Sequence, residues 1–146
     1  MSRLAETFAR LRQDGKRGLV TYITAGDPDL ARTEGILKAL DRAGADVIEV
    51  GVPFSDPLAD GPVIQRATER ALASGTTLAG VLDMLVRLRG TISAPIVIFS
   101  YANPVLRLGA EAFADRAREA GVGPGALHAA QGTLIKLTGI LGYDLP

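Results

Sequence analysis

Short apolar segments that favour strands alternate along this chain with longer segments that favour helices. The strand-like segments occupy residues 18–24, 45–50 and 95–99. They are rich in β-branched residues and apolar on both faces, as strands are in a parallel sheet that helices cover. This alternation predicts an α/β fold with a parallel sheet and helices outside it.

Apolar stripes and capping residues predict where the helices lie and which face each one buries. Helices are predicted near the N-terminus, after Asp27-Pro28, from Pro62 to about residue 75, after a cap at Thr76 or Thr77, and over residues 111–120. The stripes comprise Leu4, Phe8 and Leu11 in the first helix and Leu30, Ile36, Leu37 and Leu40 in the second.

One carboxylate falls inside the second strand-like segment. Alternation along this strand places Val47, Glu49 and Gly51 on one face. Burying a carboxylate costs free energy unless the group is paired or neutralised. Glu49 is therefore a candidate functional group. The alternative is a glutamate at the solvated end of the strand, hydrogen-bonded to a neighbouring loop.

The loop after this strand carries two more carboxylates, Asp56 and Asp60. Residues 51–61 form a connection longer than the ~2–6 residues usual between a strand and a helix, and long loops in compact domains are often functional. Each carboxylate also has a purely structural interpretation. Asp56 precedes a proline and can start a turn, and Asp60 can favour the N-terminus of the helix that Pro62 begins.

The segment from Glu49 to Pro62, EVGVPFSDPLADGP, followed by Val63-Ile64-Gln65, resembles the tryptophan synthase α subunit family. The similarity includes residues 22–28 (YITAGDP) and 101–104 (YANP), and it extends over residues 1–122. Two spaced carboxylates and three prolines in register make this match specific.

The resemblance implies a fold, a reaction and a set of site residues. The fold would be the N-terminal part of a (βα)8 TIM barrel, with about three to four βα units out of the eight that take about 250 residues. The reaction would be the retro-aldol cleavage of indole-3-glycerol phosphate to indole and glyceraldehyde 3-phosphate. In that reaction Glu49 would be the acid/base that shuttles protons, and Asp60 would accept a hydrogen bond from the ring nitrogen. The residues that would line the substrate pocket are Tyr22, Phe99 and Tyr101.

The resemblance also implies a partner. The family forms an α2β2 assembly in which the β subunit holds pyridoxal phosphate, so no cofactor is expected in this chain. Pro53 and Asp56 would face the β subunit, and Phe54 would help to shape the same loop. An alternative to an enzyme is therefore a chain that keeps only part of the β-subunit-binding face, and a third possibility is a non-functional fragment.

The last part of the chain departs from the family. Residues 123–146 contain the helix and strand breaker Gly123-Pro124-Gly125, and the family's glycine-rich phosphate loops have no visible counterpart. Impaired activity is therefore expected. Three explanations for this departure are possible: a frameshifted or prematurely stopped gene, a deliberate fragment or recombined segment, and a naturally shortened variant. In each case the third strand would lack a neighbour, so either residues 133–137 fold back onto it or the chain self-associates.

Composition excludes several classes of function. The net charge is zero with 47% hydrophobic residues, which suggests neither nucleic acid nor an anionic membrane as a partner. The chain has no cysteine and a single histidine, His128, so it carries no disulfide or thiol metal site. Charged residues interrupt the first apolar positions, so no signal peptide is predicted, and a cytoplasmic protein is expected.

Overall fold

The fold is an α/β structure built on a parallel sheet, seen in a computed structural model that describes residues 2–123 and the backbone of residues 127–129. The elements in chain order are α1 (Arg3–Gln13), β1 (Val20–Thr24), α2 (Leu30–Arg42), β2 (Val47–Gly51), α3 (Pro62–Ala73), α4 (Leu78–Leu88), β3 (Ile96–Ser100), α5 (Ala102–Leu108), α6 (Ala110–Glu119) and β4 (Leu127–Ala129). The predicted strand–helix alternation is confirmed. Sequence analysis did not separate the short helix α5 from the loop after β3.

The four strands lie in the order β1-β2-β3-β4, and every pair is parallel. Because all four strands run in the same direction, their carboxyl ends lie at one end of the sheet. The connections after β1, β2 and β3 therefore meet there, which positions the candidate site.

The strand beside β3 is not the one predicted. Leu127–Ala129 pairs with Ile98, Phe99 and Ser100, whereas the sequence favoured residues 133–137 or another chain as the neighbour. Residues 133–137 lie outside the described part of the protein. Gly121, with φ +76°, follows the C-cap Ala120 and ends α6. The breaker that the sequence shows at Gly123-Pro124-Gly125 does not prevent a strand at Leu127–Ala129.

The core lies between the sheet and helices α2 and α4. Ile48, Val50 and Ile98 are fully buried on the face of the sheet that these helices cover. The helix α4 contributes the largest set of buried residues, namely Leu78, Val81, Leu82, Met84, Leu85 and Leu88. It is therefore a central helix of the core.

Two positions of the predicted apolar stripes are exposed. Phe8 of α1 and Ile36 of α2 face solvent, while Leu11 and Leu37 on the same helices are buried. The buried stripe of each helix is thus narrower than predicted. Several helices cover the sheet, so each helix buries only about one side chain per turn against it.

Among the described residues, no single helix is long and apolar enough to cross a membrane. The helices α3 and α4 satisfy that test only when taken together, and they are bent by 88° at the break between them.

Candidate active site

The register of the sheet places Tyr22 beside Glu49. Tyr22 of β1 is the partner of Glu49 of β2, and Gly51 of β2 is the partner of Phe99 of β3. Register partners in a parallel sheet project on the same side. Ile48 and Val50 face the helices, so Tyr22, Glu49 and Phe99 share the opposite face. The predicted alternation of β2 is confirmed, and Glu49 is half-buried there.

Gly51 makes room for the ring of Tyr22. An added Cβ at Gly51 would lie 2.0 Å from the Tyr22 hydroxyl oxygen and 2.6 Å from Cζ. The ring therefore passes directly over Gly51 and meets Phe99 edge to face, with centroids 5.9 Å apart and an interplanar angle of 88°. The two aromatic residues form one wall at the carboxyl end of β1 and β3.

The loop between β2 and α3 is held from the helix that follows it. The helix α3 begins at Pro62 with Gly61 as its N-cap, so the predicted start is confirmed. The side chain of Gln65, in the first turn, donates to the carbonyl of Asp60 at 2.9 Å and to that of Pro57 at 3.3 Å. Two loop carbonyls thus receive donors from one amide, which stabilises the segment that carries Asp60.

Tyr101, directly after β3, binds the same loop from the other side. Its hydroxyl donates to Asp60 Oδ2 at 3.2 Å and accepts from the backbone N–H of Ala59 at 3.0 Å. The ring of Phe54 packs on that of Tyr101 with centroids 5.1 Å apart. The sequence placed Asp60 and Tyr101 in one site through the family resemblance, and the structure brings them into direct contact.

The pKa values of both tyrosines are raised by burial and by the nearby Asp60 carboxylate. Burial raises the pKa of Tyr22, a hydrogen bond with Thr24 opposes this, and the nearby Asp60 and Glu49 raise it further. Burial likewise raises the pKa of Tyr101, the Ala59 N–H opposes this, and Asp60 adds to the rise. Both tyrosines therefore stay protonated at neutral pH, so Tyr101 keeps the proton that it donates to Asp60.

The two carboxylates stand in different environments. Glu49 projects from the rigid sheet beside an aromatic ring, while Asp60 lies on a loop and accepts from a phenol. Carboxyl groups in unlike surroundings are suited to separate acid and base roles. In residues 2–123, no group of three or more His, Cys, Asp or Glu side chains could hold a metal ion.

A second contact fixes the start of α2 against α3. Arg70 Nε and Nη2 donate to the two carboxylate oxygens of Asp27, each at 2.8 Å. Hydrogen bonding to Arg70 lowers the pKa of Asp27. Ser74 Oγ also donates to the carbonyl of Gly26 at 3.1 Å. The loop after β1 is therefore tied to the last turn of α3.

Pro53 and Asp56, the predicted partner-facing residues, lie on the loop after β2 and differ in burial. Pro53 is buried and lines a groove of about 360 Å³, whereas Asp56 is exposed and does not line it. The groove is lined by Pro53, Phe54, Ser55, Leu72, Thr76, Thr77, Leu78, Ala79, Pro104, Arg107 and Leu108.

Sequence reasoning missed the roles of Gly51 and Gln65. The sequence places Gly51 on the same strand face as Glu49 but does not predict its close approach to Tyr22, because that contact depends on the pairing of two strands 27 residues apart in register. Gln65 lies within the family-like segment, and its position one turn into a helix that begins at Pro62 was the available signal for a contact back to the loop.

Carboxylates and aromatic residues gathered at the carboxyl end of a parallel sheet covered by helices are the arrangement found in proteins of the TIM-barrel class. The family model described as tryptophan synthase alpha chain matches residues 8–126. The chain belongs to the tryptophan synthase alpha chain family.

Curated relatives support this assignment. The chain is 56% identical over 122 residues to the tryptophan synthase alpha chain of Citrifermentans bemidjiense, covering 84% of this chain and 46% of the relative. It is 58% identical over 123 residues to that of Burkholderia mallei, covering 84% and 45%. The chain thus spans about half the length of the curated relatives it matches.

Solved structures show the same relationship. Tryptophan synthase subunit alpha from Legionella pneumophila superposes with a TM-score of 0.88 at 37% identity, covering 98% of this chain and 56% of that one. An aminoacrylate-bound form of tryptophan synthase from M. tuberculosis superposes with a TM-score of 0.85 at 35% identity, covering 99% and 60%. The fold is therefore a partial TIM barrel of this family.

Proposed function

We propose that this site carries the lyase half-reaction of tryptophan biosynthesis, the cleavage of indole-3-glycerol phosphate to indole and glyceraldehyde 3-phosphate in the cytoplasm. Family membership supports the reaction class. The observation that carries the residue assignment is the juxtaposition of two carboxylates in unlike environments, Glu49 on the sheet and Asp60 on the loop, around the ring of Tyr22.

Each residue has a defined role in this proposal. Glu49 removes the proton from the side-chain hydroxyl of the substrate and delivers a proton to the indole ring carbon, so that the carbon–carbon bond breaks. Asp60 accepts a hydrogen bond from the ring N–H and stabilises the positive charge that develops on the ring. Tyr22, Phe99 and Tyr101 form the apolar walls against which the indole packs, and Tyr101 also positions Asp60.

The assignment is tested by joining residues 1–120 to the C-terminal half of a family member and measuring indole release. Glu49→Gln in that chimera is expected to lower kcat by about 10²-fold or more, because the amide cannot transfer the proton. The matched control is Glu34→Gln, which removes a carboxylate that pairs with Lys38 on α2, away from the site. A Glu49→Gln chimera that keeps most of its activity would contradict the assignment.

The 146-residue polypeptide alone is expected to turn over substrate far more slowly than a full-length relative. Remote contacts such as those to a phosphate supply binding energy that orients the reacting atoms, and the sequence shows no counterpart of the family's phosphate loops. Indole formation within about tenfold of a full-length family member would refute this expectation.

A second candidate function, binding of the β subunit, is favoured by the apolar groove beside Pro53. Two exposed apolar side chains lie on the elements that line this groove, Leu58 on the loop that carries Pro53 and Leu106 on α5. Clustered exposed apolar side chains are of the kind that mark protein interfaces. In this proposal the chain binds no cofactor, and pyridoxal phosphate belongs to the β subunit of an α2β2 assembly. Asp56 contacts that subunit from the exposed part of the loop.

Titration calorimetry of the chain with a family β subunit tests this second function. Asp56→Asn is expected to weaken binding by about tenfold, whereas Asp115→Asn, an exposed carboxylate on α6, leaves it unchanged. Failure of the wild-type chain to bind would exclude the partner function. The lyase assignment would still be tested separately, by the activity of the chimera.

A further inference from the structure

The carboxylate of Asp60 projects from a tight turn. The N–H of Asp60 donates to the carbonyl of Pro57 at 3.1 Å, which is the bond that closes a four-residue β-turn. Leu58, inside this turn, is 84% exposed, so packing of that side chain does not hold the turn in place. Contacts from neighbouring elements therefore fix the turn relative to the sheet.

Gln65 supplies contacts of this kind from the helix α3. Its Nε2 atom donates to the carbonyl of Asp60 at 2.9 Å and to that of Pro57 at 3.3 Å. Its backbone N–H donates to the carbonyl of Gly61, the N-cap of α3, at 3.0 Å. Because the backbone of Gln65 is fixed by the helix, its side chain joins the turn to a rigid element.

Gln65 and Tyr101 hold different parts of the turn. Tyr101 donates to Asp60 Oδ2 at 3.2 Å and accepts from the N–H of Ala59 at 3.0 Å, whereas Gln65 donates to backbone carbonyls. The phenol thus holds the carboxylate from the end of β3, and the amide holds the backbone behind it from α3. Loss of the amide would leave the phenol contact in place but release the backbone from which the carboxylate projects.

We propose that Gln65 is a positioning residue for Asp60, and that its amide holds the turn so that the carboxylate meets the ring N–H of the substrate. This inference rests on the proposed function, in which Asp60 accepts that hydrogen bond. In this role Gln65 acts through Asp60 and does not itself contact the reacting atoms. The charge that Asp60 stabilises develops in the transition state, so misplacement of the carboxylate lowers kcat more than it changes KM.

The chemistry of the position requires a side chain with two donor hydrogens. Nε2 carries two hydrogens and reaches two carbonyls. A glutamate of the same shape offers only acceptors when it is ionised, and a methionine of similar length offers no donor. Gln65→Glu and Gln65→Met therefore both remove the contacts while keeping the length of the side chain.

The activity of these variants tests the proposal in the chimera of residues 1–120 with the C-terminal half of a family member. Both variants are expected to lower kcat by about tenfold or more and to change KM by less than about threefold, since displacement of a catalytic group by about 1 Å costs about 10²-fold. The matched control is Gln13→Met, the same change at an exposed glutamine of α1, which is expected to leave kcat unchanged.

A double-mutant cycle with Asp60→Ala separates this inference from the proposed function. Gln65→Met is expected to change kcat by less than about twofold when Asp60 has been replaced, because no carboxylate is left to position. An equal effect of Gln65→Met in both backgrounds, or none in the unaltered chimera, would overturn the inference while the role of Asp60 stands. If Asp60→Ala itself keeps full activity, the proposed role of Asp60 fails and the inference fails with it.

Amide hydrogen exchange of the full 146-residue chain gives a second readout that needs no turnover. In Gln65→Met the amide of Asp60 is expected to exchange about tenfold faster, because the turn opens more often. The amide of Val52, which donates to the carbonyl of Phe99 at 2.8 Å, is expected to keep its rate and so to show that the variant is folded. An unchanged exchange rate at Asp60 would contradict the proposal.

Discussion

Replacing Gly51 by alanine is expected to break the aromatic wall of the site. The added Cβ would lie 2.0 Å from the Tyr22 hydroxyl oxygen and 2.6 Å from Cζ, far inside van der Waals contact. The backbone of Gly51 cannot withdraw, since it is paired with Thr24 on one side and Phe99 on the other. The ring of Tyr22 must therefore leave its position.

The cost has two parts. Overpacking of this kind typically costs about 1–3 kcal/mol, and loss of the edge-to-face contact with Phe99 removes about 0.5–1.5 kcal/mol more. We therefore expect the free energy of unfolding to fall by about 2–4 kcal/mol.

Urea denaturation monitored by circular dichroism, at one fixed protein concentration, measures the change. Gly35→Ala is the control, because nothing lies within 4 Å of its added Cβ and it stands inside α2. That variant is expected to gain about 0.5–1 kcal/mol from helix propensity.

A double-mutant cycle isolates the clash between the two residues. In a Tyr22→Ala background the space is vacant, so Gly51→Ala is expected to cost almost nothing. The reasoning is refuted if Gly51→Ala changes stability by less than about 0.5 kcal/mol in the wild type, or if its cost is the same in both backgrounds.

Two further predictions concern the contacts that hold the loops. Tyr101→Phe removes the hydroxyl that binds Ala59 and Asp60, so the Ala59 amide is expected to exchange about tenfold faster by NMR; an unchanged rate would show that the hydroxyl does not hold the loop. Arg70 lowers the pKa of Asp27, so the pair stabilises the fold above the unfolded pKa of about 3.9 and loses this effect as the pH falls through the lower folded value. Asp27→Asn is therefore expected to lower Tm at pH 7 and to match the wild type at about pH 2, and a difference that persists in acid would contradict the ion-pair explanation.

The sequence by itself predicted those features that depend on residues close together in the chain, such as the face of a strand and the start of a helix. Alternation in β2 placed Glu49 on the face opposite Ile48 and Val50, because successive side chains in a strand point to opposite sides. Pro62 predicted the first turn of α3, because its ring fits that position and it lacks the N–H that would otherwise be unpaired. The family-like segment around Asp60 indicated the chemistry before any contact was known.

Only the tertiary structure decided which distant groups meet. Strand register places the ring of Tyr22 over Gly51, and the course of the loop brings Asp60 to Tyr101, 41 residues further along the chain. Likewise, the strand beside β3 proved to be Leu127–Ala129. The periodicity of apolar residues predicts which face of a helix or strand is buried. Which strands and loops pair with each other is decided by packing across the whole sheet. Among the described residues β1 also lies at one side of the sheet, which the sequence VTYIT by itself does not predict.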